Sequence, residues 1–304
     1  MHRRSFLKNG LTSATALTLG ATSLSASNEP YPAKHNFKMK YAPHIGMFKN
    51  SAGEDPIDQL KFMADQGFHA FEDNGMMGRT IELQEKMAAT MSNLGMEMGV
   101  FVVAFDNWPL STSLTSGDTE WRDKFVKTCN EAVEVAKRVN AKWMTVVPGN
   151  FDRRLPIGIQ TAHVVDALRR GADIFEPHGL TMVLEPLSDT PDLFLRHSDQ
   201  AYLVCKAVNS PSCKILYDIY HMQKNEGRLI YNIEKCWDEI AYFQIGDEPG
   251  RKEPTTGEIN YKNVFKYIHE KGYRGIMGME HGNFHEGKEG EMALIEAYVE
   301  VDGF

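Results

Sequence analysis

The stretch Ile215–Met222 reads ILYDIYHM, and it decides the fold because it joins a strand-like run to two chemically active groups. The run Ile-Leu-Tyr is aliphatic and aromatic, which is typical of a strand that is buried on both faces. Asp218 follows directly, and His221 comes three residues later. A carboxylate at the end of an apolar strand indicates a functional site at the carboxyl edge of a parallel sheet.

The rest of the chain repeats this unit, a short apolar run followed by a longer amphipathic one. Eight strands are predicted: Tyr41–Met47, Ala70–Glu72, Glu97–Val103, Trp143–Val147, Thr181–Glu185, Lys214–Asp218, Ala241–Gly246 and Gly275–Glu280. Eight helices are predicted: Pro56–Gln66, Thr80–Leu94, Thr119–Val139, Ile159–His178, Ser198–Val208, Leu229–Glu239, Tyr261–Lys271 and Glu289–Val301. Strict alternation implies parallel strands with crossover helices, and eight such units predict a single-domain α/β protein, a closed (β/α)8 TIM barrel. A doubly wound open sheet is the alternative, but no GxGxxG follows the first predicted strand.

The N-terminus has the pattern of an export signal. Arg3 and Arg4 precede a mild apolar stretch and a group of small residues, which predicts a twin-arginine signal peptide over residues 1–26. A polar linker is predicted over residues 27–38, and the barrel over residues 39–304. We therefore expect the protein to be periplasmic or otherwise extracytoplasmic. No later run is long and apolar enough to predict a membrane span.

The composition restricts the partners that the protein can have. The net charge is −8 at pH 7, which argues against nucleic acid or anionic lipid as a partner and leaves a small molecule. The composition is also compatible with a homo-oligomer. Four cysteines lack the CxxC spacing of zinc sites, and we expect them to be free and buried. They are Cys129, Cys205, Cys213 and Cys236.

Two further predicted strands end as the Asp218 strand does, in the carboxyl side chains of Glu185 and Glu280. The amide side chain of Gln244 lies near the end of the predicted strand Ala241–Gly246. The carboxyl ends of barrel strands surround one mouth, so the four groups should lie together. Grouped carboxylates repel one another unless a cation is present, and three carboxylates with one amide oxygen suit Mn²⁺ or Mg²⁺. His221 could be a ligand, a donor to a substrate or a packed polar residue.

Four segments of the chain resemble a known family. They are LEPLSD at Glu185, YDIYHMQKNEG at Tyr217–Gly227, FQIGDEPGRKEPTTGEINY at Phe243–Tyr261 and GMEHG around Glu280. They resemble the xylose isomerase-like sugar isomerases and epimerases, most closely the hydroxypyruvate isomerase family. The third segment is the most specific, because its elements fall in the family's order and spacing. The resemblance is close over residues 180–282 and general over residues 40–179.

The resemblance also implies roles for particular residues. It implies four metal ligands: Glu185, Asp218, Gln244 and Glu280. It implies that Glu185 and Glu280 are the acid/base pair, that His221 and Arg251 contact substrate oxygens, and that Glu72, Asp106 and Trp108 line the pocket. The metal is expected to be Mn²⁺ or Mg²⁺, with Co²⁺ and Zn²⁺ as alternatives, and no organic cofactor is implied. His281 and His285, beyond Glu280, are expected to face solvent.

The expected reaction is a 1,2-proton shift in a hydroxy-aldehyde, hydroxy-ketone or sugar, through an enediolate that the metal stabilises. The sugar epimerases of the superfamily usually carry His at the position of Gln244, so this chain matches the hydroxypyruvate isomerase branch. A keto-sugar epimerase and a lyase or dehydratase are alternatives on the same site. An exported, metal-dependent sugar-binding protein without turnover is the alternative from a different class.

Overall fold

Apolar strands alternate with amphipathic helices throughout the part of the chain that the computed structural model describes, residues 33–103 and 110–304. The described residues belong to one compact unit. Four sequence predictions lie outside the described residues, wholly or in part: the signal peptide over 1–26, the linker over 27–38, Asp106 and Trp108.

All the strands of the described chain pair in parallel. They are β1 (Lys40–Ala42), β2 (Ala70–Phe71), β3 (Glu97–Met98), β4 (Val100–Val102), β5 (Trp143–Val146), β6 (Thr181–Leu184), β7 (Cys213–Asp218), β8 (Ile240–Gln244) and β9 (Ile276–Gly278). Seven of them form a sheet in the order β1-β9-β8-β7-β6-β5-β4, and β2 pairs with β3. Only Gly99 separates β3 from β4, so the two form one barrel strand, and the nine segments make eight strands of a barrel.

Backbone hydrogen bonds close this barrel at β2. The Gly99 N–H donates to the Phe71 carbonyl at 2.6 Å, which continues the β2–β3 pairing. On the other side of β2, the Glu72 N–H donates to the Pro43 carbonyl at 3.1 Å, which links β2 to the end of β1. The predicted (β/α)8 barrel is therefore confirmed.

Helices surround the barrel, and all eight predicted helices are present with small shifts at their ends. The described helices are α1 (Lys49–Ala52), α2 (Pro56–Gln66), α3 (Ile81–Leu94), α4 (Ser113–Ser116), α5 (Thr119–Val139), α6 (Ile157–Phe175), α7 (Ser198–Val208), α8 (Ile219–Asn225), α9 (Leu229–Cys236), α10 (Tyr261–Glu270) and α11 (Gly287–Asp302). The short helices α1, α4 and α8 were not predicted. Among the described residues, no helix combines the length and the apolar character that a membrane crossing requires.

Helix α2 shows why the ends of the helices were predictable. The Asp55 side chain accepts a hydrogen bond from the Ile57 N–H at 2.8 Å, and Pro56 occupies the first helical position. Gly67 ends the helix in the left-handed conformation at φ 101°. Each of these residues has a local preference for its position, so the sequence alone predicts both ends.

The first strand is shorter than predicted. It ends at Ala42 rather than Met47, because Pro43 has no N–H for a sheet hydrogen bond and Gly46 turns the chain at φ 95°. The residues after Ala42 instead form a loop at the carboxyl mouth of the barrel and lead into α1. This correction places His44 and Ile45 beside the site described below.

The four cysteines are free and buried, as predicted. Burial raises the pKa of the Cys129 and Cys236 thiols above the ordinary value. These thiols are therefore part of the core packing and have little thiolate character.

Candidate active site

The four oxygen-bearing side chains predicted at the strand ends do lie at one mouth of the barrel. Asp218 and Gln244 are the last residues of β7 and β8, and they are paired in the parallel register. Glu185 directly follows β6, and Glu280 lies two residues beyond β9. Glu185, Asp218 and Gln244 are buried, whereas 23% of the Glu280 side chain is exposed. Glu280 therefore faces the opening of the site.

Two of these ligand candidates have a buried oxygen that lacks a hydrogen-bond donor among the described residues. The atoms are Glu185 Oε1 and Gln244 Oε1. A buried polar oxygen without a donor is costly, and a bound cation would remove that cost. Asp218 differs, because both of its oxygens have donors. Oδ1 accepts from the backbone N–H groups of Tyr220 at 2.8 Å and His221 at 3.2 Å, and Oδ2 accepts from Arg251 Nη2 at 3.2 Å.

Burial and neighbouring negative charges disfavour the ionised forms of Glu185 and Glu280. Burial raises the pKa of Glu185 well above its ordinary value, and the negative charges of Glu280 and Asp218 raise it further. Burial also raises the pKa of Glu280 to about 7, although Arg251 opposes the shift. Three carboxylates and one amide oxygen are hard donors, and a divalent cation among them would favour the ionised forms of Glu185 and Glu280. The residues therefore fit such a cation.

His221 lies among these acids, and its hydrogen bonds place the proton of the neutral ring on Nε2. One atom each from Glu185, Asp218 and His221 lie within 4.8 Å of one another, which by distance alone could hold a metal ion. However, the Ser188 N–H donates to His221 Nδ1 at 3.1 Å, so Nδ1 carries no proton in this contact. Burial lowers the pKa of His221, which favours the neutral ring. The single ring proton is then on Nε2, which leaves that nitrogen no lone pair for a metal.

Arg251 bridges two of the carboxylates. Its Nη2 donates to Asp218 Oδ2 at 3.2 Å and to Glu280 Oε2 at 2.8 Å, and its Nε donates to the Glu280 carbonyl at 3.1 Å. The guanidinium also lies over the Tyr220 ring, 5.1 Å from the centroid. These contacts hold a permanent positive charge at the mouth of the barrel, beside Glu280.

Several residues at the site were not identified from the sequence. Asn74, in the loop after β2, donates from Nδ2 to Glu280 Oε1 at 2.6 Å. Ser188 sets the tautomer of His221, and Tyr242 contacts the Glu72 carboxyl group at 3.1 Å. Ser188 was visible in the LEPLSD segment, but nothing in that segment indicates its partner.

Glu72 lies beside the candidate site. Predicted to line the pocket, it borders a cavity of about 310 Å³ together with Asn74 and Glu280, and its side chain is buried.

His281 was expected to face solvent, and that expectation was wrong. It is buried, with Nε2 2.7 Å from the Tyr298 hydroxyl, and burial lowers its pKa to about 3. His285 is exposed as expected.

Comparison with known protein families agrees with this architecture. The family described as "Xylose isomerase-like TIM barrel" matches residues 60–298. Hydroxypyruvate isomerase of Escherichia coli is 34% identical over 156 residues, which are 49% of this chain and 59% of that protein. The 2-oxo-tetronate isomerase of Pectobacterium atrosepticum is 32% identical over 231 residues, 74% of this chain and 86% of that protein. The match to the E. coli hydroxypyruvate isomerase therefore spans less than two thirds of that protein's length.

Solved structures share the fold at lower sequence identity. A protein from Brucella melitensis described as an AP endonuclease of family 2 superposes with a TM-score of 0.72 at 24% identity, covering 83% of this chain and 96% of that one. The 3-keto-D-glucoside 4-epimerase of E. coli superposes with a TM-score of 0.71 at 20% identity, covering 87% and 99%. At these identities the likeness concerns the fold alone.

Proposed function

Because the chain belongs to the xylose isomerase-like TIM barrel family, we propose that it is a divalent-metal-dependent isomerase of a small hydroxy-carbonyl compound. Relatives named for their activity are isomerases of hydroxypyruvate and of 2-oxo-tetronate, which supports this enzyme class and a short hydroxy-keto acid as the substrate. The observation that carries the proposal is the group of buried acidic residues in which Glu185 Oε1 and Gln244 Oε1 lack donors among the described residues.

Four residues would hold the metal: Glu185, Asp218, Gln244 and Glu280. Their oxygen-rich donor set favours Mn²⁺ or Mg²⁺, with Co²⁺ and Zn²⁺ as weaker candidates. Such an ion acts as a Lewis acid toward the carbonyl oxygen of a substrate, which makes the adjacent carbon more acidic.

Glu185 and Glu280 are the proposed proton carriers. They follow β6 and β9, which β7 and β8 separate in the barrel, so the two carboxyl groups lie on different sides of the mouth. One of them removes a proton from carbon, and that residue or the opposite one returns a proton to the neighbouring carbon. The proton of the substrate hydroxyl group passes to the former carbonyl oxygen, so the product has the same atoms and charge as the substrate. The Asn74 amide, 2.6 Å from Glu280 Oε1, holds the Glu280 carboxyl group in place for this transfer.

His221 and Arg251 are the proposed donors to substrate oxygens. The Nε2–H of His221 is buried and has no hydrogen-bond acceptor among the described residues, so it can donate to a substrate oxygen that gains negative charge. Arg251, which donates a hydrogen bond to Glu280, supplies a permanent positive charge at the mouth of the barrel. Both groups act without changing their own protonation state.

Metal removal tests the proposed function directly. The purified protein is treated with a chelator, its metal content is checked by elemental analysis, and isomerisation of hydroxypyruvate and 2-oxo-tetronate is assayed. We expect the activity to disappear and to return with Mn²⁺, Mg²⁺ or Co²⁺. Full activity in verified metal-free protein would contradict the proposal, and metal binding without turnover of either compound would favour a binding protein.

A further inference from the structure

We propose that Glu72 is a positioning residue that orients the Gln244 amide so that its oxygen faces the metal. The inference rests on the proposed function, because it takes Gln244 as a metal ligand. The oxygen and nitrogen of an amide are similar in size, but only the oxygen has lone pairs to offer a cation. A glutamine ligand therefore needs a neighbour that distinguishes its two ends.

Glu72 makes this distinction through a hydrogen bond. Gln244 Nε2 lies 3.4 Å from Glu72 Oε1, a long hydrogen bond in which the amide must be the donor. Gln244 Oε1 is buried and has no partner among the described residues. The contact with Glu72 therefore occupies the nitrogen and leaves the oxygen free for the site.

A second hydrogen bond holds Glu72 itself. The Tyr242 hydroxyl donates to Glu72 Oε2 at 3.1 Å, so each oxygen of the carboxyl group has its own donor. Tyr242 and Gln244 are two residues apart on β8, so their side chains point to the same face of the strand. Glu72 comes from the end of β2, and β9 and β1 lie between these two strands. The carboxyl group thus joins β2 to β8 across the barrel interior.

Two glycines make room for this arrangement. A Cβ at Gly278 on β9 would lie 1.8 Å from Glu72 Oε2, and a Cβ at Gly99 would lie 2.4 Å from the Tyr242 hydroxyl oxygen. Any side chain at either position would displace the carboxyl group or its donor. Two different strands therefore leave space for the same hydrogen-bonded group.

A purely structural role would not require a carboxyl group here. Removing a carboxyl group from water is costly, and an apolar residue of similar volume would pack the barrel interior without that cost. The orienting role needs only an unprotonated Oε1: a carboxylate provides it, and so does a neutral carboxyl group whose proton is on Oε2. The position of the acceptor beside Gln244 is what matters.

Binding of Mn²⁺ alone to the metal-free full chain tests the inference. The dissociation constant is measured by electron paramagnetic resonance titration for the wild type and for Glu72→Leu, which removes the acceptor. We expect Glu72→Leu to weaken Mn²⁺ binding by roughly 10–100-fold, as loss of a residue that orients a metal ligand typically does. Glu72→Gln offers Gln244 either an acceptor oxygen or an N–H, so it should weaken Mn²⁺ binding by less than Glu72→Leu does.

The same substitution in a Gln244→Glu background separates orientation from packing. A carboxylate presents an oxygen in either orientation, so Glu72→Leu should not weaken Mn²⁺ binding there. If it weakens binding equally in both backgrounds, Glu72 acts by another route and the inference is wrong. Thermal unfolding of each metal-free variant verifies that it is folded, and Glu72→Met replaces Glu72→Leu if the latter fails to fold.

Failure of the inference can be told apart from failure of the proposed function. If Gln244→Ala weakens Mn²⁺ binding while Glu72→Leu binds as the wild type does, only the role of Glu72 is refuted. If the wild type binds no Mn²⁺, or if Gln244→Ala binds it as the wild type does, Gln244 is not a ligand and both the inference and the proposed metal site are refuted.

Discussion

The backbone N–H of Ser188 donates to Nδ1 of His221 at 3.1 Å, so the proton of the neutral ring is on Nε2. This nitrogen lies 3.8 Å from Glu185 Oε1 and 3.6 Å from Asp218 Oδ2. It is therefore close enough to the proposed ligands to be mistaken for one of them. Its hydrogen bonding instead leaves an N–H, which is the basis for proposing it as a donor to substrate.

Replacing His221 distinguishes a donor from a ligand. His221→Phe keeps a ring but has no N–H and no lone pair for a metal, so it should leave the dissociation constant for Mn²⁺ within a small factor of the wild type but lower kcat by roughly 10²–10³-fold, the usual cost of losing a donor to a developing oxyanion. Asp218→Asn is the matched control, since it should weaken Mn²⁺ binding. Loss of Mn²⁺ binding in His221→Phe to the same extent as in Asp218→Asn would show that His221 is a ligand.

Replacing Gln244, the proposed amide ligand, should change which metal the site prefers. Gln244→His offers an imidazole nitrogen in place of an amide oxygen, so the preference among metals should shift from Mn²⁺ and Mg²⁺ toward Co²⁺ and Zn²⁺. Competition titrations of the metal-free variant and wild type measure this ranking. An unchanged order of affinities would mean that residue 244 does not contact the metal.

The buried His281 should make the protein less stable in acid. Burial lowers its pKa from 6.5 to about 3, so the folded ring stays neutral where the unfolded chain takes up a proton. Its contribution to stability is therefore complete above pH 6.5 and is lost as the pH falls toward 3. Between pH 6 and 4, the free energy of unfolding should fall by up to about 1.4 kcal/mol per pH unit more steeply in the wild type than in His281→Gln. Urea unfolding of both proteins measures this, and equal pH slopes would contradict the assignment.

Export through the twin-arginine route remains a proposal that rests on Arg3 and Arg4. Replacing both with Lys keeps the charge but removes the arginine pair, so an uncleaved precursor should accumulate in the cytoplasm. Cell fractionation with antibody detection measures its location. Uncleaved wild-type protein in the cytoplasm would refute the proposed signal peptide, and a conservative change at Lys8 provides a control.

The sequence predicted those parts of the fold and site that depend on local patterns. The apolar runs and helix ends predicted the barrel, and a polar side chain at the end of a strand placed Asp218 and Gln244 at its mouth. The first strand was predicted too long because its apolar run continues past Pro43, where sheet hydrogen bonding stops.

Side-chain contacts between residues that are distant in sequence could not be predicted. Asn74 and Glu280 are 206 residues apart, and Glu72 and Gln244 are 172 residues apart. Closure of the barrel brings each pair together, and neither residue of a pair has a pattern that identifies its partner. The direction of the His221 ring likewise depends on the backbone of a neighbouring loop, which residue types do not indicate.

The central claim is that two carboxylates, Glu185 and Glu280, move a proton at carbon. Incubating the metal-loaded enzyme with its substrate in D₂O and following deuterium by NMR tests it most directly. We predict deuterium on the carbon next to the carbonyl with the wild type. Glu185→Gln and Glu280→Gln should each lower the isomerisation rate by roughly 10²–10⁴-fold, the usual contribution of a general base. A variant that still incorporates deuterium without forming product retains the residue that takes the first proton. If the wild type isomerises its substrate without deuterium entering from solvent, or if both variants exchange as fast as the wild type, the two-carboxylate mechanism is wrong.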